Sequence, residues 1–156
     1  MAEMLTLERR SDASVSTPSS GALEDGYNAW KSKEIPRMET DVVLKRFETP
    51  DEIRHMELGT FEIVRLGGLT IGRATYQPGW RWSVHVGPGL GLSLCPVEHV
   101  GMVVSGVATA AFEDGRVIEM HAGVLFHIPA LPHDSWVVGS EPYVSLHFMG
   151  AEKYAK

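Results

Sequence analysis

The chain is poor in three things, and each absence removes a class of answers. It has a single cysteine, Cys95, so no intrachain disulfide can form and a secreted, disulfide-stapled fold is excluded. It has no window approaching the ~20 apolar residues needed to cross a bilayer as a helix. It is short of positive charge: 14 Lys and Arg stand against 20 Asp and Glu, for a formal charge of -6. No run of Lys or Arg forms a basic patch, which argues against nucleic acid and anionic membrane surfaces as partners. The first ten residues carry acids inside their apolar stretch, unlike a signal peptide, so a cytoplasmic location is expected.

What is present divides in two. Residues 1–40 are polar and rich in Ser, Glu and Lys, and read as an irregular N-terminal extension that cannot bury enough apolar surface to offset its ordering entropy. Tyr27, Trp30 and Ile35 leave open whether it packs on its own domain or on a partner subunit. Residues 41–156 read as one domain. Val42–Phe47 reads as a strand, and Thr49–Met56 as a short helix, with a capping Thr, a first-turn Pro and acids beside it. Short β-rich runs follow at Phe61–Leu66, Leu69–Gln77, Trp80–Val86, Val97–Val104, Val107–Glu113, Val117–Met120, Val124–Ile128, Ser135–Val138 and Tyr143–Met149. Gly and Pro punctuate them, and Asp114-Gly115 is a tight-hairpin signal. Many short, evenly spaced strands predict an all-β, antiparallel closed barrel or jelly roll.

Six of the seven histidines (His85, His99, His121, His127, His133 and His147) fall in this strand-rich part. Several imidazoles converging in one barrel are a common route to a first-row metal. Gly79 followed after five residues by His85, and His99 followed after six by Gly106, resemble the first cupin motif, Gly-x5-His-x-His…Glu-x6-Gly. Gly123, five residues, Pro129 and then His133-Asp134 resemble the second, Gly-x5-Pro-x-Gly-x2-His. The resemblance spans about residues 60–149 and implies an antiparallel cupin jelly-roll β-barrel with one short helix. It also implies a divalent transition metal (Fe, Zn, Ni, Cu or Mn) held by His85, His99 and His133. The chain departs from the pattern at Gly87, which stands where the second histidine would be. His99 stands at the glutamate position with Glu98 beside it, Leu131 at a glycine position, and Asp134 at the expected ligand position one residue after His133. Asp134, Glu98 and Cys95 are therefore substitute ligands, the last because the 87–96 loop can bring it back to the barrel mouth.

Strand alternation discriminates among these. If His99 points inward, Val97, Gly101 and Val103 do too, Glu98 faces out, and Gly101 leaves room for a ligand. On a preceding strand, His85 inward would take Ser83 and Arg81 into the pocket, where Arg81 could clamp an acidic group. The alternative puts Trp80 and Trp82 in the core and Arg81 in solvent. His127 and His147, in apolar strands, are further pocket residues.

Cupin-like proteins include dioxygenases, isomerases, lyases and decarboxylases, so the resemblance implies a metal-dependent enzyme, dioxygenase-like first, acting on a small organic molecule. A non-catalytic module that binds or senses a metal or metabolite is the alternative, and a metal-free epimerase-type barrel a third. A homodimer is expected, with residues near 40–65 and the N-terminal extension contributing, because sheet edges and apolar sheet faces need covering.

Overall fold

A computed structural model describes residues 41–156; the N-terminal extension lies outside the described residues. Among the described residues ten strands form two antiparallel sheets. They are β1 (Glu52–Met56), β2 (Gly59–Leu66), β3 (Leu69–Tyr76), β4 (His99–Ser105), β5 (Val107–Phe112), β6 (Val117–His121), β7 (Leu125–Ile128), β8 (His133–Asp134), β9 (Val137–Val138) and β10 (Tyr143–Met149). One sheet has the order β1-β2-β3-β10-β4-β7; the other runs β6-β5-β8, with β9 also on β5. The inner faces of both meet in one core, with Phe61, Ile63 and Val103 from the first sheet and Ala108, Ala110 and Met120 from the second. This is the two-sheet jelly roll that the strand spacing predicts.

Alternation is clean where it positions the site. On β4 the buried residues are His99, Gly101 and Val103, and on β10 they are Tyr143, Ser145 and His147. The register sets His147 opposite Gly101 on one side and Gly72 on the other. Those two glycines make space for aromatic rings: a Cβ on Gly72 would lie 2.3 Å from Phe61 Cζ, and one on Gly101 2.5 Å from Phe126 Cζ. Phe61 and Phe126 accordingly pack edge-on against His147, with ring centroids 5.3 and 5.6 Å away. The room over Gly101 is thus filled by Phe126 and is not ligand space. Gly101→Ala, whose new methyl would also lie 2.2 Å from the Leu146 carbonyl oxygen, is expected to destabilise the fold by about 2–3 kcal/mol, read as a lowered urea midpoint.

Three local expectations are corrected. Val42–Phe47 forms no strand, since it pairs with no neighbour among the described residues. The stretch read as a helix contains β1, paired residue by residue with β2. An eight-residue helix is marginal by itself, whereas β1 gains a ladder and lets Arg54 reach the chain terminus, donating to the carbonyls of Ala151, Glu152 and Tyr154. Finally, Trp80–Val86 holds not a strand but a helical turn, α1 (Trp82–His85), followed by α2 (Gly87–Leu90). Trp80 and Trp82 are buried, at 1% and 2% exposure, so the core takes the two indoles.

Asp134 is the reason the turn holds. Its buried carboxylate accepts from the Ser83 N–H at 3.0 Å, the Ser83 hydroxyl at 2.9 Å, the Arg81 Nε at 2.6 Å and the Ser135 N–H at 2.9 Å. Removing an acceptor with four donors leaves partly buried N–H and O–H groups without their partner. Asp134→Ala is expected to lower stability by about 3 kcal/mol in chemical denaturation while leaving metal uptake unchanged.

Candidate metal centre

The inward residue of β4, the end of the 87–96 loop and the start of β8 converge. Cys95 and His133 exchange backbone hydrogen bonds in an isolated bridge, N–H to carbonyl at 2.8 and 3.1 Å. That pins the loop end against β8. The Cys95 Sγ then lies 3.5 Å from His99 Nε2, and the rings of His99 and His133 meet edge-on at 5.5 Å between centroids. The donor atoms of Cys95, His99 and His133 all lie within 4.8 Å of one another, and all three residues are buried. His133 Nδ1–H donates to the Leu131 carbonyl at 2.8 Å, which fixes the tautomer and leaves Nε2 with its lone pair free.

Burial sets the charge state of the group. It pushes His99 down to about 2, helped by the neighbouring His147 and His133, and lowers His133 as well. The same burial raises the Cys95 thiol to about 11. A cysteine nucleophile activated by histidine needs the opposite shifts, a stabilised thiolate and imidazolium. Neutral imidazoles and a thiol that ionises only against a cation instead suit a metal. The Nδ1 of His99 and of His147 have no hydrogen-bond partner, so neither ring is held by a competing network through that atom.

The other sequence candidates fall elsewhere. His85 sits on α1, partly exposed, with its Nδ1 2.9 Å from the Arg81 backbone, and is not brought to the group because α1 replaces the strand that would have aimed it inward. Asp134 is next to His133 and points to the other side of β8, into α1. Arg81 and Ser83 are its partners, and Arg81 lies over the Trp136 ring rather than in the pocket. Glu98 and His127 pair with each other on the exposed face at 2.9 Å, as alternation from His99 requires. His147 does line the pocket, its ring 5.3 Å from His99, with Nε2 3.0 Å from the Ser145 hydroxyl.

Beside the three donors lies a cavity of about 40 Å³, walled by Tyr76, Trp80, Trp82, Phe126, Tyr143 and Tyr154. That is space for a few atoms, given that one water needs roughly 10–15 Å³ on this measure. Tyr154 closes it from the chain terminus: its hydroxyl accepts from Tyr76 OH at 2.8 Å, and its ring packs on His99 at 5.4 Å. Alternation from Ser145 and His147 could have found Tyr143. Nothing in the sequence marks Tyr154, which lies beyond the last strand.

No described protein family matches this chain by sequence, and no curated protein does. Solved structures do. Ectoine synthase from P. lautus superposes over 70% of this chain and 78% of its own, with a TM-score of 0.50 and 9% identity. A protein of unknown function from Rhizobium leguminosarum bv. viciae 3841 is similar over 69% of this chain and 94% of its own, with a TM-score of 0.49 and 18% identity. An oxalate decarboxylase from Lactobacillus farciminis, in a formate complex, is similar over 70% of this chain and 35% of its own, with a TM-score of 0.47 and 17% identity. At such identities the likeness is one of architecture. What this chain shares with ectoine synthase is the fold, two antiparallel sheets closed over one core.

Proposed function

We propose that this protein is a metal-dependent enzyme acting on a small organic molecule, with Cys95, His99 and His133 as the metal ligands. The observation that carries the reading is the convergence of three buried, uncharged donors on one point beside a cavity. Three protein ligands leave a coordination position open, the arrangement of catalytic rather than structural sites. A metal bound there supplies Lewis acidity, polarising a substrate oxygen or activating water. The chain's own part is to exclude solvent with the Trp80, Trp82 and Phe126 walls and to offer the Tyr143 hydroxyl as a donor, burial holding its pKa up at about 12 so that it stays protonated. The reaction belongs to the dioxygenase, isomerase or lyase types.

The test is metal content of untagged protein followed by turnover of small keto acids, diketones, catechols and thiols. Near-stoichiometric metal with turnover of one class is expected. Stoichiometric metal with no turnover favours the binding or sensing module, and absence of metal overturns the centre.

The reading places the enzyme in the cytoplasm; no helix among the described residues is long and apolar enough to cross a membrane. It also takes the protein as a homodimer, residues near 40–65 contributing to the interface. Val104, Leu125 and Phe148, exposed on the outer face of the six-stranded sheet, support association. A monomer at micromolar concentration by light scattering overturns that part.

A further inference from the structure

We infer that the Cys95, His99 and His133 centre is built for a thiophilic divalent metal, zinc or copper rather than manganese or iron, and that its open position takes a small, singly charged anion. The inference rests on the metal centre proposed above and specifies it.

The donor set comes first. One sulfur and two imidazole nitrogens converge, and no carboxylate joins them among the described residues. The two acids adjacent in sequence are both spent elsewhere, Glu98 on His127 and Asp134 on Arg81 and Ser83. Manganese and magnesium favour oxygen donors, and non-haem iron(II) is typically held by two histidines and a carboxylate. A thiolate with two imidazoles instead suits a thiophilic ion, zinc or copper. One pair already has the spacing. A tetrahedral ion with roughly 2.3 Å to sulfur and about 2.05 Å to nitrogen separates those atoms by about 3.5–3.6 Å, and Cys95 Sγ and His99 Nε2 are 3.5 Å apart, with all three donors within 4.8 Å of one another.

Charge then specifies the missing ligand. Binding a divalent ion expels the Cys95 proton to solvent, and the resulting thiolate cancels one of the two positive charges. One remains, and no Asp or Glu is among the residues lining the cavity. An uncompensated buried charge is strongly unfavourable. A neutral water in the fourth position leaves that charge standing, whereas a monoanion cancels it, and about 40 Å³ limits that anion, or the part of it that enters, to a few atoms. Hydroxide, a carboxylate head or a small thiolate meets both conditions. Ser135 and Tyr143 are among the residues that line the same space, and each carries a hydroxyl that can donate to a second oxygen.

Cobalt(II) substitution tests this without reference to activity. Apo protein is titrated with cobalt(II) alone, then with sodium formate, sodium azide and sodium sulfate, in wild type, Cys95→Ser and Glu98→Gln. A near-ultraviolet thiolate-to-cobalt charge-transfer band with intense tetrahedral visible bands is expected in wild type and in Glu98→Gln, and its loss in Cys95→Ser. Formate and azide are expected to shift the visible bands saturably, and sulfate to bind at least about tenfold more weakly, since a dianion leaves the buried site charged again. Cobalt bound in wild type without the charge-transfer band overturns the thiophilic site and leaves the metal centre standing. The band without any response to formate or azide overturns the anion position alone. No uptake of cobalt or zinc by wild type overturns the centre and this inference with it. Because the wild-type spectrum decides each point, a Cys95→Ser chain that fails to fold does not shield the inference.

Discussion

Cys95→Ser and His99→Ala are each expected to abolish stoichiometric metal binding, whereas His85→Ala retains it in full. Disturbing only the hydrogen-bond partner of a ligand typically weakens a site roughly 10–100-fold. Deleting one of three protein ligands exceeds that, so at micromolar protein the variants should purify with little metal. His85 is the discriminating control, because the cupin-like spacing makes it a ligand while the structure seats it on α1 against the Arg81 backbone. Elemental analysis of the three proteins, with circular dichroism to show that each is folded, decides between these assignments. Metal lost in His85→Ala and kept in Cys95→Ser would restore the motif's ligand set and remove the one proposed here.

The second large effect is acid lability of the metal-free protein. Burial holds His99 near 2 and His147 near 4 in the folded state, against 6.5 when exposed. Depressed histidine pKa values mean that the unfolded chain binds these protons first. Stability is therefore fully present above about pH 6.5 and falls as pH drops through the window between 6.5 and about 4. With the His99 and His147 protons taken up only on unfolding, the slope is about 3 kcal/mol per pH unit, and His133, also lowered by burial, adds to it in the same direction. Two pH units then remove a large part of the roughly 5–15 kcal/mol that holds a domain together. Acid unfolding followed by circular dichroism in the presence of a chelator is expected to set in near pH 5, above the range in which carboxylates titrate. His147→Leu, which removes one of these protons, should reduce the slope of the urea midpoint against pH by about a third to a half. A midpoint flat from pH 7 to pH 4.5 would contradict the burial of both rings. Zinc should displace the transition to lower pH, because metal bound only by the folded state adds to its stability.

Much of this architecture is written in local pattern. Alternation along His99, Gly101 and Val103 places His99 inward and Glu98 outward before any neighbour is known, and Asp114-Gly115 marks the β5–β6 hairpin, where Phe112 N–H donates to the Arg116 carbonyl at 2.9 Å. These survive because a period of two and a tight turn are decided within a few residues. The errors share an opposite cause. Thr49–Met56 carries a helix start signal worth about 1 kcal/mol, and β1 forms instead because β2 and the C-terminal carbonyls offer Arg54 and its neighbours more. Trp80–Val86 alternates like a strand, and the turn wins because a carboxylate more than fifty residues away caps it.

The sequence by itself determined the all-β class, most of the strands from Phe61 onward, the inward face of β4 and the concentration of imidazoles in the strand-rich part. Tertiary structure alone decided which of those imidazoles meet. His99 reaches the site by strand parity, but Cys95 and His133 become ligands only through their reciprocal backbone bridge, and His85 is withdrawn only by the contact of α1 with Asp134. Spacing along a chain fixes which face a side chain takes. Whether two faces converge depends on pairings between segments far apart in sequence, whose free energies no local pattern contains.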